Sequence, residues 1–270
     1  MKQFKWLLLR RLMQLLVLGV FLLGPWFGVW IVKGNLAASL TLDTLPLTDP
    51  YVSLQSLLAG HIPEIIGLLG ALIVVIFYLL VGGRVYCSWV CPINIITDAA
   101  ASLRERLDIK NTIQFSRTSR YWILGMSLIV SWLTATIAWE FLNPVSMLFR
   151  GIVFGMGLTY GIVVAIFLFD LLLSHRGWCG HLCPVGAFYS ILGKFSLLRV
   201  NANQRDQCDD CMDCFRVCPE PQVIKPALKG TASPIILSPN CTNCGQCIDV
   251  CKQDVFRFGT RVLNLSKNDR

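Results

Sequence analysis

CDDCMDCFRVCP, residues 208–219, and CTNCGQCIDVCK, residues 241–252, both follow the spacing C-x2-C-x2-C-x3-C. Three cysteines so closely placed wrap one cubane iron–sulfur cluster, while the fourth points away and reaches a second. On that pattern the first [4Fe–4S] cluster takes Cys208, Cys211, Cys214 and Cys251, and the second takes Cys241, Cys244, Cys247 and Cys218. The competing chemistry is a pair of zinc sites. Structural zinc joins two separated C-x2-C pairs across roughly 12–20 residues, whereas each group of four here is self-contained. Cys218 is followed by proline and Cys251 by lysine. The proline shapes the chain and is not a ligand, so the difference leaves the ligand sets intact.

Four more cysteines stand in two matching stretches, RVYCSWVCPI at 84–93 and RGWCGHLCPV at 176–185. The arginine, both cysteines (Cys87/Cys91 and Cys179/Cys183) and the proline superimpose without a gap. None of the 12 cysteines is then left over, a pattern of metal or redox chemistry rather than scattered core thiols. Proline suits the first helical position, because its missing N–H would have no partner there. The second cysteine of each pair then sits at a helix start, where the dipole and free amides favour a thiolate. Two cysteines cannot hold a cubane. Four from two motifs could, or they could form paired redox thiols, so a further redox centre at the CxxxCP motifs is expected.

These groups must be held by mostly apolar elements. Of the 270 residues only 15% are charged, and the mean hydropathy is +0.60, the profile of an integral membrane protein. Stretches of roughly 20 apolar residues can cross a bilayer, and four are expected at 12–32, 63–82, 121–141 and 152–173. Lys2, Lys5, Arg10 and Arg11 precede the first, and Arg84, Arg104, Arg106, Lys110, Arg117 and Arg120 follow the second. The first connection has Lys33 against Asp43 and Asp49, and the third has Glu140 and Arg150. Basic residues mark the cytoplasmic side, so both termini and all the cysteines are expected there, in a compartment too reducing for structural disulfides. The net charge of +8 then reads as inner-side anchoring and not as a nucleic-acid surface. Arg10-Arg11 fits the same anchor better than an export signal, and the first apolar run is too long for a cleaved leader.

The expected fold is an α-helical membrane protein with four transmembrane helices in two tandem span–span–CxxxCP repeats related as parallel repeats. A C-terminal 2[4Fe–4S] ferredoxin-like α+β domain follows. The domains are 1–200, transmembrane, and 201–270, ferredoxin-like. After each motif, apolar residues recur at helical spacing, as expected of amphipathic helices along the inner surface. Two clusters in one small fold, tethered to four spans, suit electron exchange with a quinone dissolved in the membrane.

Several stretches, LLGPWFGVW (22–30), DTLPLTDP (43–50), CSWVCP (87–92), NPVS (143–146), GWCGHLCPVGA (177–187) and CMDCFRVCPEP (211–221), together resemble the NapH-type ferredoxin family. The resemblance covers essentially the whole chain. It implies a multi-pass subunit of the bacterial inner membrane that takes electrons from quinol towards periplasmic nitrate reductase. It also implies a periplasmic ferredoxin-like subunit and a cytochrome c chain as partners. Relatives with the same motifs serve nitrous oxide reductase, methylamine utilisation or copper oxidase assembly. The methylamine type is the harder of these to separate. The charge bias puts the clusters in the cytoplasm, while the implied acceptor is periplasmic. Either electrons cross through this subunit with the CxxxCP motifs involved, or the clusters serve another step.

Other residues have two readings each. Asp170, near the inner end of the fourth span, is a candidate proton acceptor from quinol or a partner of Arg176. The candidate catalytic set is Cys87, Cys91, Cys179, Cys183 and Asp170. His61 and Glu64 could handle protons or be a solvated helix start. His181, inside the second motif, has Trp89 as its counterpart, which counts against a symmetric histidine site, and His175 only flanks it. Trp26, Phe27 and Trp30 line a quinone pocket or form an interfacial belt. A redox maturation factor and a plain membrane anchor are the competing functions.

Overall fold

A computed structural model describes residues 4–109, 113, 115–155, 157–230 and 233–261. Lys2 and Lys110 of the charge bias, Met156 of the fourth expected span, and 231–232 and 262–270 of the tail lie outside the described residues. Helix α1 (Lys5–Phe27) leads to β1 (Val32–Gly34), β2 (Ala38–Thr41), β3 (Leu45–Thr48), α2 (Pro50–Leu58) and α3 (Ile65–Val81). A π-turn at Tyr86–Val90 and α4 (Ile93–Arg106) complete the first half. The second half runs α5 (Ser119–Thr134), a 3-10 turn at Ala138–Phe141, α6 (Pro144–Phe154) and α7 (Gly157–Leu168). It continues through π-helical Phe169–Leu173 and a π-turn at Trp178–Leu182 to α8 (Pro184–Gly193). The tail adds β4 (Leu198–Asn201), α9 (Asp213–Val217), α10 (Ile224–Lys229), α11 (Gln246–Val250) and β5 (Arg257–Thr260).

The order α1–α2–α3–π-turn–α4 therefore recurs as α5–α6–α7–π-turn–α8, a deeper repeat than the cysteine motifs alone reveal. Its additional members are the short helices α2 and α6. Asp49 accepts a hydrogen bond from the Tyr51 N–H and Asn143 accepts one from the Val145 N–H, each with proline opening the helix. Both pairs combine a side-chain N-cap with a residue that has no N–H to satisfy. Strands β1–β3 form an antiparallel meander with Val32 opposite Thr41 and Ser39 opposite Leu47.

The helices depart from the expected spans where the backbone turns left-handed. The first span is α1, which ends at Phe27 because Gly28 adopts φ +73. The third ends at Thr134, where Ala135 has φ 50. The fourth is broken at Gly155, with φ 66, into the end of α6 and the start of α7. Among the described residues, α1 alone is long and apolar enough to cross a bilayer by itself. Helix α3, with 17 residues, stands at the lower edge of that length.

The chain forms two compact units, residues 1–13, 77–90 and 189–270, and residues 14–76 and 91–188. They do not coincide with the division expected at residue 200. In the first unit β4 pairs with β5, Leu198 opposite Thr260. Val200 and Ala202 enter the same core as Ile224, Ile236 and Phe256. The tail fold thus starts before residue 201, and the end of α3 joins it: Leu197 N–H donates to Leu79 O at 3.1 Å. In the second unit α6 packs on α7, and α4 on α7 and on Phe169–Leu173. Arg104 anchors α4 by donating to the carbonyls of Leu171 at 2.7 Å and Asp170 at 3.4 Å.

Helices α3 and α5 turn apolar side chains outward, while several polar side chains are buried. Helix α3 exposes Ile65, Ile66, Leu69, Leu72 and Ile76, and α5 exposes Trp122, Met126 and Leu133, while Arg10, Gln14, Arg120 and Ser131 are buried. Apolar side chains facing outward in continuous stripes mark a surface that is not meant for water.

Candidate functional site

The two tail motifs fold into matching loops. Asp210 and Met212 in the first have φ 58 and 60, and Asn243 and Gly245 in the second have φ 48 and 76. Left-handed residues at equivalent points curl each loop into a concave nest suited to a negatively charged group. One cavity is lined by Cys208, Cys211, Cys214 and Cys251 with Phe215, Leu228 and Phe256. Another is lined by Cys218, Cys241, Cys244 and Cys247 with Val200, Ile224 and Ile236. Each cavity thus takes three cysteines from one motif and the last cysteine of the other.

This donor set fits a [4Fe–4S] cluster. Sulfur ligands select iron–sulfur or zinc, and a cubane spreads its four thiolates over four separate irons. Among the described residues no three His, Cys, Asp or Glu groups converge on a single metal ion. Burial pushes the Cys214 and Cys241 thiols up to about 11, and holds Cys247 well above the usual thiol range, with neighbouring thiolates adding to it. Buried thiolates are costly without a compensating cation, so these three buried sulfurs suit metal ligation.

The first unit builds a second layer around the Cys241–Cys247 loop. Ser88 Oγ donates to Thr242 O at 2.8 Å and Trp89 Nε1 donates to Asn243 O at 3.1 Å. Asn243 Nδ2 donates to Val81 O and Leu198 O, both at 3.1 Å. Arg84 pairs with Glu220 at 2.8 Å, both side chains 3% exposed, and also donates to Asn240 O. Trp6 meets Trp89 edge-on at 6.1 Å and lies so close to Gly245 that a Cβ there would fall 2.6 Å from its ring. Asp249 accepts from the Trp6 and Leu7 N–H groups, both at 3.1 Å, and so caps the start of α1. Cys87 lies on the π-turn that carries Ser88 and Trp89.

In the second unit, Cys183 ends the other π-turn, its N–H bonded to Trp178 O at 2.9 Å. Cys179 Sγ stands 3.9 Å from Thr97 Oγ1 on α4. Cys91 packs against the buried set Ile93, Val145 and Ile166. Pro92 immediately precedes α4 and Pro184 opens α8, so the second cysteine of each pair lies at a helix start. None of the twelve cysteines, all of them described, forms a disulfide. Asp170 is fully buried; Oδ1 accepts from Trp178 N at 2.9 Å and Oδ2 has no hydrogen-bond partner. Arg176 pairs instead with Asp98 at 3.2 Å.

The remaining candidates divide clearly. His61 Nε2 lies 3.2 Å from Ala135 O, at the end of α5. His181 and His175 are held below the usual imidazole range, by burial foremost and then, for His175, by Arg176. Trp26, Phe27 and Trp30 are exposed. Tyr51 on α2 is a residue that sequence reasoning missed. It is fully buried, bonds Ser127 Oγ at 2.6 Å and packs against Phe188 at 5.6 Å. Burial foremost, with the negative charge of Cys183 adding to it, keeps its phenol protonated well above the usual range. The Asp49-Pro50 start of α2 was the one signal that could have found it.

Known families match both cysteine systems. The family described as a 4Fe-4S binding domain matches residues 64–110 and again 156–202, one CxxxCP motif in each. The 4Fe-4S dicluster domain matches 207–255. The chain is 53% identical to the methylamine utilization ferredoxin-type protein MauN of Methylorubrum extorquens, over 97% of this chain and 91% of that protein. It is 50% identical to the ferredoxin-type protein NapH of Escherichia coli, over 95% of this chain and 90% of that protein. No solved structure matches it.

Proposed function

Because the chain belongs to the family of ferredoxin-type proteins that includes NapH and MauN, we propose that it is a membrane electron-transfer subunit that oxidises quinol. It passes the electrons on towards periplasmic nitrate reduction. The observation that carries this reading is the pair of cavities, each lined by four cysteines drawn three-plus-one from the two tail motifs. Cys208, Cys211, Cys214 and Cys251 hold one [4Fe–4S] cluster; Cys218, Cys241, Cys244 and Cys247 hold the other. When bound, each cluster supplies one-electron redox chemistry, and the pair matches the two electrons that a quinol releases with its two protons.

Asp170 is the proposed proton acceptor, supported by a buried Oδ2 that no hydrogen bond occupies. Cys87, Cys91, Cys179 and Cys183 are proposed as a further redox centre, supported by the 4Fe-4S binding domain match over each of their repeats. The four-span arrangement in the bacterial inner membrane, with the tail on the cytoplasmic side, is supported by the outward apolar faces of α1, α3 and α5 and by the alternating basic bias. The proposed partners are a periplasmic ferredoxin-like subunit and the nitrate reductase and cytochrome c chain beyond it.

A second reading keeps the chemistry and changes the acceptor. The identity to MauN, 53%, matches that to NapH, 50%, and so supports methylamine utilisation equally. Quinol added to the anaerobic protein in proteoliposomes is expected to reduce the tail clusters. If no quinol of suitable potential does so with partner subunits present, quinol oxidation is abandoned. Reoxidation by one partner chain and not the other separates the two acceptors.

A further inference from the structure

The second tail loop is held very differently from the first. Asp210, at the point equivalent to Asn243, is exposed and pairs with Lys229, and Cys211 is exposed. Around the second loop, by contrast, the carbonyls of the two residues between Cys241 and Cys244 both receive side-chain donors from one turn, Ser88 to Thr242 and Trp89 to Asn243. The second CxxxC turn has Gly180 and His181 at those places. Gly180 has no side chain to offer, and His181 leaves Nδ1 unbonded and bonds the Ser116 backbone in its own unit rather than a tail cysteine loop. The donors are therefore a special feature of the first turn and not a consequence of the repeat.

We propose that Ser88 and Trp89 are positioning residues for the group held by Cys218, Cys241, Cys244 and Cys247, fixing its loop and raising its reduction potential through the Thr242 and Asn243 carbonyls. The physical basis is that outer hydrogen bonds orient ligand loops and tune the centre they hold. A donor on a carbonyl withdraws negative charge from the loop and favours the extra electron of the reduced state. Both side chains are anchored: Ser88 is buried, and the Trp89 ring lies against Trp6. The inference rests on the two-cluster reading of the tail.

The test uses the full-length protein, purified anaerobically in detergent, with iron analysis and redox titration followed by electron paramagnetic resonance. Cys218→Ser identifies which midpoint belongs to the second cluster. Ser88→Ala and Trp89→Phe are each expected to keep wild-type iron content and to lower that midpoint alone. The expected size is about a tenfold fall in the one-electron reduction constant, read as about 59 mV. Ser88→Thr is expected to restore the wild-type value, and His181→Phe, the matched change in the other turn, to move neither midpoint. Unmoved midpoints in both variants, equal shifts of the two clusters, or the same shift from His181→Phe would overturn the proposal. Should Trp89→Phe lose iron through misfolding, Ser88→Ala decides alone. Wild-type protein without two [4Fe–4S] signals would instead remove the underlying two-cluster reading.

Discussion

Arg84 and Arg176 open two turns of almost the same sequence, each a single π-turn that runs into a proline-started helix. Arg84 pairs with Glu220 with both side chains 3% exposed, whereas Arg176 and Asp98 are 13% and 9% exposed. Two residues further along the contrast sharpens. The first turn presents Tyr86, whose ring stacks on Tyr189 at 4.9 Å, followed by Ser88 and Trp89, which bond the tail loop. The second presents Trp178, whose N–H is taken by Asp170, followed by Gly180 and His181. Local sequence makes the two backbones alike, and a few side chains give each its own neighbours. The first turn serves the tail, while the second is tied to a buried carboxylate in its own unit.

Cysteine replacements should separate the two systems most strongly. Cys241→Ser is expected to abolish one tail cluster, with the loss of about four irons, whereas Cys179→Ser leaves both tail signals in place. Iron analysis with electron paramagnetic resonance reads the difference, and loss of the tail signals from Cys179→Ser would break the separation. Next in size is Asp170→Asn, which keeps an oxygen for the Trp178 N–H and removes only the carboxylate's capacity to take a proton. Quinol-driven cluster reduction should slow about 100-fold with unchanged iron, in the range of lost general-base catalysis. An unchanged rate would leave Asp170 with its structural bond only.

The arginines come third. Arg84→Met strands Glu220 inside the tail unit and should cost about 3–5 kcal/mol. Arg176→Met, at a pair more open to solvent, should cost less. Denaturant unfolding followed by tryptophan fluorescence ranks them, and the reverse order would contradict the burial difference. Smallest are the two caps. Asp49→Ala and Asn143→Ala each remove one side-chain acceptor at a proline-opened helix and should cost about 1 kcal/mol apiece. Clearly unequal losses would show that α2 and α6 are not equivalent members of the repeat.

Much of this arrangement was readable from local sequence. The tail loops declare themselves because C-x2-C-x2-C-x3-C is a short-range ligand pattern, and α1 and α3 do so because each fills most of a long apolar run. Helices α2 and α6 had readable starts in Asp49-Pro50 and Asn143-Pro144, yet both begin where connections were expected, and only the end of α6 reaches the fourth expected span. The breaks at Ala135 and Gly155 depend on left-handed backbone that hydropathy does not register. The bonds from Ser88 and Trp89 span 154 residues in sequence, so no local pattern announces them. For the same reason the compact units could not be drawn at residue 200.

The most direct measurement is reduction by quinol of the full-length protein, purified anaerobically and inserted in vesicles, with iron counted in the same preparation. About eight irons in the tail clusters and the appearance of reduced-cluster resonances on adding quinol are the expected result. Zinc in place of iron, or fully loaded clusters that stay oxidised with quinol and partner subunits present, would contradict the account.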